Sequence, residues 1–259
     1  MRIATWNVNS LKARLARVEE WLEYARPDVL CLQETKLADK AFPAMAFSAL
    51  GYESVHYGHG QWNGVAILSK VGIADPANGF GVGIKDPYEG DARLLAATCG
   101  GIRVVSVYVP NGREVPSEFY DRKLVWFDRL SDWVDTHHTP TDPVVITGDF
   151  NVAPDDRDVW SVKAFTGATH VTEPERAAIR RLEHWGFVDA FRRVYDGDRL
   201  YSYWDYRGGD FHEGRGMRID LVLATAPVAE RVTWALVDRN ARKGKQPSDH
   251  APVVVDLTD

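Results

Sequence analysis

The chain is poor in cysteine, has no long apolar run and carries no surplus of positive charge, and each shortage removes a class of protein. Only two cysteines occur in 259 residues, Cys31 and Cys99, both inside apolar runs, which leaves neither a disulfide framework nor a thiolate zinc site. No stretch approaches the length that spans a bilayer, and residues 1–6 enter a strand-like pattern at once, without the regions of a signal peptide. A soluble cytoplasmic protein with no membrane partner is expected. The formal net charge of −6 counts against a wholly basic nucleic-acid binder, since phosphate contacts need Lys and Arg. Basic residues nevertheless gather late, at Arg207, Arg215, Arg218, Arg239, Arg242, Lys243 and Lys245, as either a basic face or a solvated loop.

What is present is a core-forming composition, 45% hydrophobic with 11% aromatic residues, which excludes disorder as the main state. Neither an internal repeat nor a low-complexity linker divides the chain, so one domain over residues 1–259 is expected. Runs rich in Val, Ile and aromatics, bounded by Gly, Pro, Asn or Asp, predict strands at 2–6, 28–32, 53–57, 64–68, 93–99, 103–109, 144–147, 219–224, 232–237 and 252–257. Three helices are predicted. Ser10 is the candidate N-cap of the first, with Leu11, Leu15, Val18 and Leu22 on one face and Pro27 beyond its end. The second runs from Ser117 to about Thr136 on Tyr120, Leu124, Phe127, Leu130 and Val134. Thr172 and Glu175 form a capping-box pattern before the third, where Ala178, Leu182 and Trp185 share a face. Many strands with few helices suggest two packed sheets covered by helices.

Polar residues interrupt the apolar strands at a few places, and burying such groups costs free energy unless they find partners. These are Trp6-Asn7-Val8-Asn9, Leu32-Gln33-Glu34-Thr35-Lys36, Val107-Tyr108-Val109-Pro110-Asn111, Thr147-Gly148-Asp149-Phe150-Asn151 and Ser248-Asp249-His250-Ala251-Pro252, with Arg218-Ile219-Asp220-Leu221 adding an Asp. Each lies at a strand end, so all can converge on one edge of the sheets. Singly, each has a plain structural reading: Asn7 as a turn residue, Glu34 as a solvated strand end, Asp149 to Asn151 as an Asx turn. Together they supply hard oxygens for Mg²⁺, a His with carboxylate partners and a Tyr hydroxyl.

In order and spacing these motifs resemble, along nearly the whole chain, those of exonuclease III and the abasic-site endonucleases. That branch belongs to the endonuclease/exonuclease/phosphatase superfamily. The resemblance implies a four-layer α/β sandwich, two mixed β-sheets face to face with helices outside. It also implies a DNA repair phosphodiesterase that incises duplex DNA 5′ to abasic sites and clears damaged 3′ ends to leave 3′-hydroxyls. Glu34, with Asn7 and Asp249, would hold Mg²⁺, for which Mn²⁺ is a substitute, and a second metal at Asp149, Asn151 and His250 is the alternative. Asp149, oriented by Asn151, would align or deprotonate the attacking water, His250 paired with Asp220 would meet a phosphate oxygen or move a proton, and Tyr108 would contact the phosphate. Asn111, Tyr203, Trp204, Arg207, Met217 and Arg218 would bind the substrate, the loops at 202–207 and near Met217 pressing into the minor groove around a flipped-out sugar. Tyr203, Trp204 and Tyr206 have a second reading as core aromatics. A monomer is expected. The competing classes are another phosphoesterase of the superfamily and a noncatalytic DNA-binding module.

Overall fold

The chain, described over residues 1–258 in a computed structural model, opens with a strand whose alternation sets the plan for the rest. In β1 (Arg2–Asn7), Ile3 joins one apolar cluster while Ala4 and Trp6 join another, because successive strand residues point to opposite faces. The strands that follow are β2 (Val29–Gln33), β3 (Glu53–Tyr57), β4 (Val65–Ser69), β5 (Ala74–Asn78) and β6 (Leu94–Cys99). After them come β7 (Ile102–Tyr108), β8 (Val144–Asp149), β9 (Phe187–Asp189), β10 (Asp220–Thr225), β11 (Val232–Val237) and β12 (Val253–Leu257). They form two six-stranded mixed sheets, in the orders β11-β12-β1-β2-β4-β3 and β5-β6-β7-β8-β10-β9. β1 is parallel to β2 and β7 to β8, and the other pairings are antiparallel.

The sheets meet face to face over one apolar layer, in which Ile3, Cys31, Ile67 and Val255 of the first oppose Ala97, Val104, Val145 and Val222 of the second. On the outside of the first sheet, α1 (Leu11–Ala25) lays Leu11, Val18 and Leu22 against Trp6, Leu30 and Val254, and the short α2 (Ala44–Ala49) adds Phe47. On the outside of the second, α3 (Glu118–His137) and α4 (Glu173–Trp185) bury Trp126, Phe127, Leu130, Ile179 and Leu182 against Val105, Ile146 and Leu223. The result is the expected four-layer α/β sandwich. Each large apolar side chain so buried contributes roughly 1.5–3 kcal/mol relative to exposure, so these layers carry most of the stabilisation. No helix among the described residues is long and apolar enough to cross a membrane.

The expected helix starts hold in all three cases, and two of the three N-cap residues make a side-chain cap. Ser117 Oγ accepts from Tyr120 N at 3.1 Å, and Thr172 and Glu175 close a reciprocal capping box. Ser10 makes no side-chain cap. Its backbone sits at φ 90, and the first turn of α1 is tied instead by Ser10 N to Glu34 O at 2.8 Å and Leu11 N to Thr35 O at 3.0 Å. The helix thus begins on the loop that carries Glu34. It ends as expected before Pro27, with Arg26 in the left-handed region and its N–H on Leu22 O. Two strands lacked a sequence signal: β5, exposed along its whole length and containing Pro76, and β9, only three residues long.

Candidate active site

Strand parity decides where the polar groups meet. On the faces that oppose each other, apolar Ile3, Cys31, Val104, Val145 and Val222 are in step with Asn7, Gln33, Tyr108, Asp149 and Asp220. Register then sets Asn7 beside Gln33, and Asp149 between Tyr108 and Asp220. The inner layer therefore turns polar at one edge of the sandwich. Just beneath that edge Gln33 bridges the sheets, accepting from Thr5 Oγ1 at 3.1 Å and donating to Ser106 Oγ at 3.1 Å.

At the centre, the buried Asn7 Nδ2 donates both to Glu34 Oε1 and to Asp149 Oδ2, at 2.9 Å each. Two carboxylates are thus held around one amide, one from each sheet. Glu34 leaves the end of β2 with φ 50, which turns its side chain back over the site, and Lys36 Nζ lies 2.8 Å from its second oxygen. Burial alone would raise the Glu34 pKa, but Lys36 and the Asn7 bond outweigh it, and the carboxyl stays below its usual range. Asp149 follows Gly148, whose φ of 148 brings β8 so near β7 that a Cβ there would lie 1.9 Å from Val107 O. Only glycine fits. Burial pushes Asp149 up, His250 and Asn7 restrain the rise in part, and its pKa stands at about 7.

His250 is oriented from below. Its Nδ1 faces Asp220 Oδ2 at 2.8 Å and Oδ1 at 3.1 Å, while Nε2 lies 3.8 Å from Asp149 Oδ2. Ser202 Oγ donates to Asp220 at 2.6 Å and accepts from the Asp220 N–H at 3.1 Å, which fixes the carboxylate. The Tyr203 ring lies 4.9 Å from the imidazole, and Trp6 Nε1 donates to His250 O at 3.2 Å. Burial would lower the imidazole pKa, but Asp220 and Asp149 together lift it to about 10, so the ring is a cation at neutral pH. Tyr108 is raised well above its usual value, first by burial and then by Glu34, and keeps its phenolic proton. The Arg93 guanidinium sits 4.8 Å over its ring.

Asn151, at φ 51, is a bracket more than a ligand. Its N–H donates to Asp149 Oδ1 at 2.9 Å, its Nδ2 to Val109 O at 2.9 Å, and its Oδ1 accepts from Asn111 Nδ2 at 3.1 Å. Behind it stands a network that the sequence reading missed. Lys123 on α3 is fully buried, paired with Glu175 of the α4 capping box, and donates to Asn151 O at 2.8 Å and Asn111 O at 3.2 Å. The neighbouring His170 holds Asn151 O through Nδ1 at 2.6 Å, and burial with the Lys123 charge lowers its pKa to about 4, so it is neutral. A signal existed: Lys123 falls in step with Tyr120, Phe127 and Leu130 on the apolar stripe of α3, where a cation needs a buried partner.

The structure divides the expected substrate residues. Asn111, Tyr203, Arg207 and Met217 line a cavity of about 340 Å³ beside the carboxylates, together with His170 and Trp160. Asp249 lies at the rim, accepting from Asn9 Nδ2 at 3.1 Å. Trp204 and Arg218 do not reach the surface, which corrects the expectation for both. Trp204 is 1% exposed and packs its ring against Phe211, as the core-aromatic reading has it. Arg218 is 1% exposed and spends its guanidinium on Asp158 and Asp189, each with a contact at 2.7 Å. The late basic residues form no continuous face either, since Arg242 is also buried and Arg207 and Arg215 pair with Asp205 and Asp210.

Four carboxylates, Glu34, Asp149, Asp220 and Asp249, thus stand against two cations, Lys36 and His250, at a sheet edge open to a cavity. Excess negative charge on hard oxygens suits a divalent cation, and such a centre beside an imidazolium defines a metal-dependent hydrolase of phosphate esters. The sequence agrees with that class. A model of the endonuclease/exonuclease/phosphatase family matches residues 4–250, and the chain belongs to this metal-dependent family. It is 32% identical to exodeoxyribonuclease III of Haemophilus influenzae over 98% of each chain. Among solved structures it is similar to an AP endonuclease from Archaeoglobus fulgidus, with a TM-score of 0.95, 38% identity and all of both chains covered. It is likewise similar to a 3′ phosphatase from Neisseria bound to a product DNA hairpin, with a TM-score of 0.94, 36% identity and all of both chains covered. Within the family the chain is a DNA repair nuclease of the exonuclease III type.

Proposed function

We propose that this chain is a Mg²⁺-dependent phosphodiesterase, with Mn²⁺ as a substitute, acting as a cytoplasmic monomer on duplex DNA. It incises 5′ to abasic sites and removes 3′ nucleotides or blocking groups, leaving 3′-hydroxyl ends. The observation that carries the reading is the Asn7 amide shared by Glu34 and Asp149 within reach of the His250–Asp220 pair. Glu34 and Asp149 would hold the cation, and Asn7 joins them if its amide turns to present the oxygen. Asp249 borders this set. When bound, the ion neutralises charge on the phosphate oxygens.

The residues of the chain do the remaining work. Asp149, aligned by the Asn151 N–H, takes a proton from the attacking water, the new O–P bond forms, and the bond from phosphorus to the 3′ oxygen breaks. That oxygen leaves as a hydroxyl, taking its proton from solvent water, and Asp149 returns the proton it took to solvent. The His250 cation faces a non-bridging phosphate oxygen, where its charge stabilises the transition state, and Tyr108 donates its phenolic proton as a hydrogen bond. Asn151 has both amide atoms engaged, whereas ligand atoms of Asp149, Asp220 and His250 lie within 4.8 Å of one another and are the group that would hold a second cation.

Substrate choice rests on the cavity between Asn111, Tyr203 and Met217, which takes a sugar without its base at low unstacking cost. A second reading places 3′ ends first, because Trp160 and His170 share that cavity and leave less of it for an extruded sugar. Labelled duplexes carrying an abasic site, a nick or a 3′-phosphate, incubated with Mg²⁺ and with chelator, test both. Mg²⁺-dependent cut products ending in 3′-hydroxyls support the proposal, processing of 3′ ends alone selects the second reading, and hydrolysis of only small soluble phosphate esters contradicts both.

A further inference from the structure

The Glu34 carboxylate reaches the reacting centre from a turn that is held under strain. Glu34 and Lys36, on either side of Thr35, sit at φ 50 and 53, in the left-handed region that residues other than glycine avoid. Such a backbone persists only where its surroundings over-determine it. Backbone bonds clamp the turn from two sides. Ser10 N and Leu11 N at the start of α1 donate to Glu34 O and Thr35 O, while Thr35 N and Lys36 N donate to Gly64 O and Asn63 O at 3.1 and 2.9 Å. Gly64 comes so near that a Cβ on it would lie 2.1 Å from Thr35 Oγ1.

A side-chain relay adds a third clamp, and the hydrolytic step makes no use of it. Thr35 is fully buried, and its Oγ1 lies 2.8 Å from Nε2 of His56 on β3. Across the ring, Nδ1 lies 2.8 Å from Asp39 Oδ1. The Asp39 carboxylate accepts, so Nδ1 carries the proton, the bare Nε2 also accepts, and the Thr35 hydroxyl donates. Burial lowers the His56 pKa more than Asp39 raises it, which keeps the imidazole neutral and this acceptor free. Phe42 fixes the ring, stacked 4.4 Å away at 16°, and the Gly58 N–H fixes Asp39 at 2.8 Å. The order of carboxylate, imidazole and hydroxyl is that of an activated nucleophile, but Thr35 has no exposed surface to offer a substrate. The relay therefore positions and does not attack.

We propose that His56, oriented by Asp39, is a positioning residue for the metal centre: by holding the Thr35 hydroxyl it fixes the turn that aims the Glu34 carboxylate at the cation. The proposal rests on the reading of Glu34 as a cation ligand and extends it to side chains that touch neither metal nor substrate.

The test reads metal binding apart from catalysis. Full-length protein is titrated with Mn²⁺ alone, the free ion being counted by electron paramagnetic resonance, and duplex cleavage is followed across Mg²⁺ in parallel. Thr35→Val keeps the shape of the side chain and removes the hydroxyl, and His56→Leu removes the acceptor. Each is expected to bind Mn²⁺ about fivefold more weakly, the size of one net hydrogen bond, and to shift the Mg²⁺ midpoint likewise. At saturating Mg²⁺ their cleavage rates return to that of the parent, Thr35→Ser restores the parent's Mn²⁺ affinity, and the double variant is no weaker than either single one. Parental affinity in folded Thr35→Val overturns the proposal. Additive losses in the double variant overturn it too, as does a Thr35→Ser as weak as Thr35→Val, which would reduce the contact to packing. Should His56→Leu fail to fold, Thr35→Val and Thr35→Ser decide alone. A parent that binds Mn²⁺ and cleaves, with variants that match it, sinks only this proposal; a parent that neither binds Mn²⁺ nor cleaves removes the cation reading of Glu34 and this one with it.

Discussion

Two buried charge clusters lie within a few residues of each other in the chain, and they do opposite work. Around Arg218, two cations meet two carboxylates: Arg218 and Arg192 contact Asp158, and Arg218 also contacts Asp189. Around Asp220 and Asp149, carboxylates outnumber cations, and only Ile219 separates Arg218 from Asp220 along the chain. The difference is visible in the carboxyl groups. Burial would raise Asp158, but Arg218 and Arg192 outweigh it and hold it below its usual range, whereas burial carries Asp149 up to about 7. A neutralised buried cluster is structure; one left with unspent negative charge is a place for a cation and a proton transfer.

The sharpest way to break this contrast is Asp149→Asn. On the proposed role of Asp149 as the carboxylate that takes the water's proton, single-turnover cleavage falls by about 10²–10⁴-fold. Stability moves the other way. A carboxyl whose folded pKa is raised opposes folding increasingly as pH rises from its unfolded value through about 7, so the amide variant melts no lower than the parent at pH 8. Arg218→Met gives the reverse pattern, costing about 3–5 kcal/mol in urea unfolding because Asp158 and Asp189 are left short of a cation, with the folded fraction still able to cut. In Asp220→Asn the effect falls on the pH profile. Activity of the parent rises as Asp149 deprotonates near pH 7, a limb that a bound cation shifts lower, and falls as His250 loses its proton near pH 10. Without Asp220 that alkaline limb moves down in pH, which kcat/KM measured across pH 5–11 reads directly. Arg207→Ala is the smallest: its charge is already met by Asp205 on an exposed loop, and DNA affinity at fixed salt drops by no more than about threefold.

The strands and the convergence of their ends were legible because both rest on local chemistry: β-branched runs, period-two alternation, and polar residues at the ends of apolar strands. Two packed sheets and the polar strand ends follow from that, whereas the four-layer sandwich and the roles of Asn7, Glu34, Tyr108, Asp149, Asp220 and His250 came from the resemblance of their motifs to the family. Burial was not legible. Arg218 read as a substrate contact and Trp204 as either a substrate contact or a core aromatic, and what hides them, Asp158, Asp189 and Phe211, comes from segments with no pattern linking them in sequence. Lys123 was the opposite case, legible in principle as a cation in the apolar stripe of α3, although its partner Glu175 reads only as a helix cap. β5 was silent because an exposed edge strand with a proline carries neither alternation nor β-propensity.

The central claim is that the excess carboxylates at the sheet edge hold a divalent cation for phosphodiester cleavage. Its most direct test is the cleavage rate of an abasic or 3′-blocked duplex across a Mg²⁺ titration, for the parent and for Glu34→Gln, which removes one of the two carboxylates on Asn7. The account predicts no cleavage in chelator and a midpoint for Glu34→Gln displaced by about tenfold or more to higher Mg²⁺, roughly 1.4 kcal/mol of lost cation binding. Cleavage that persists in chelator, or superimposable titrations for the two proteins, would contradict it.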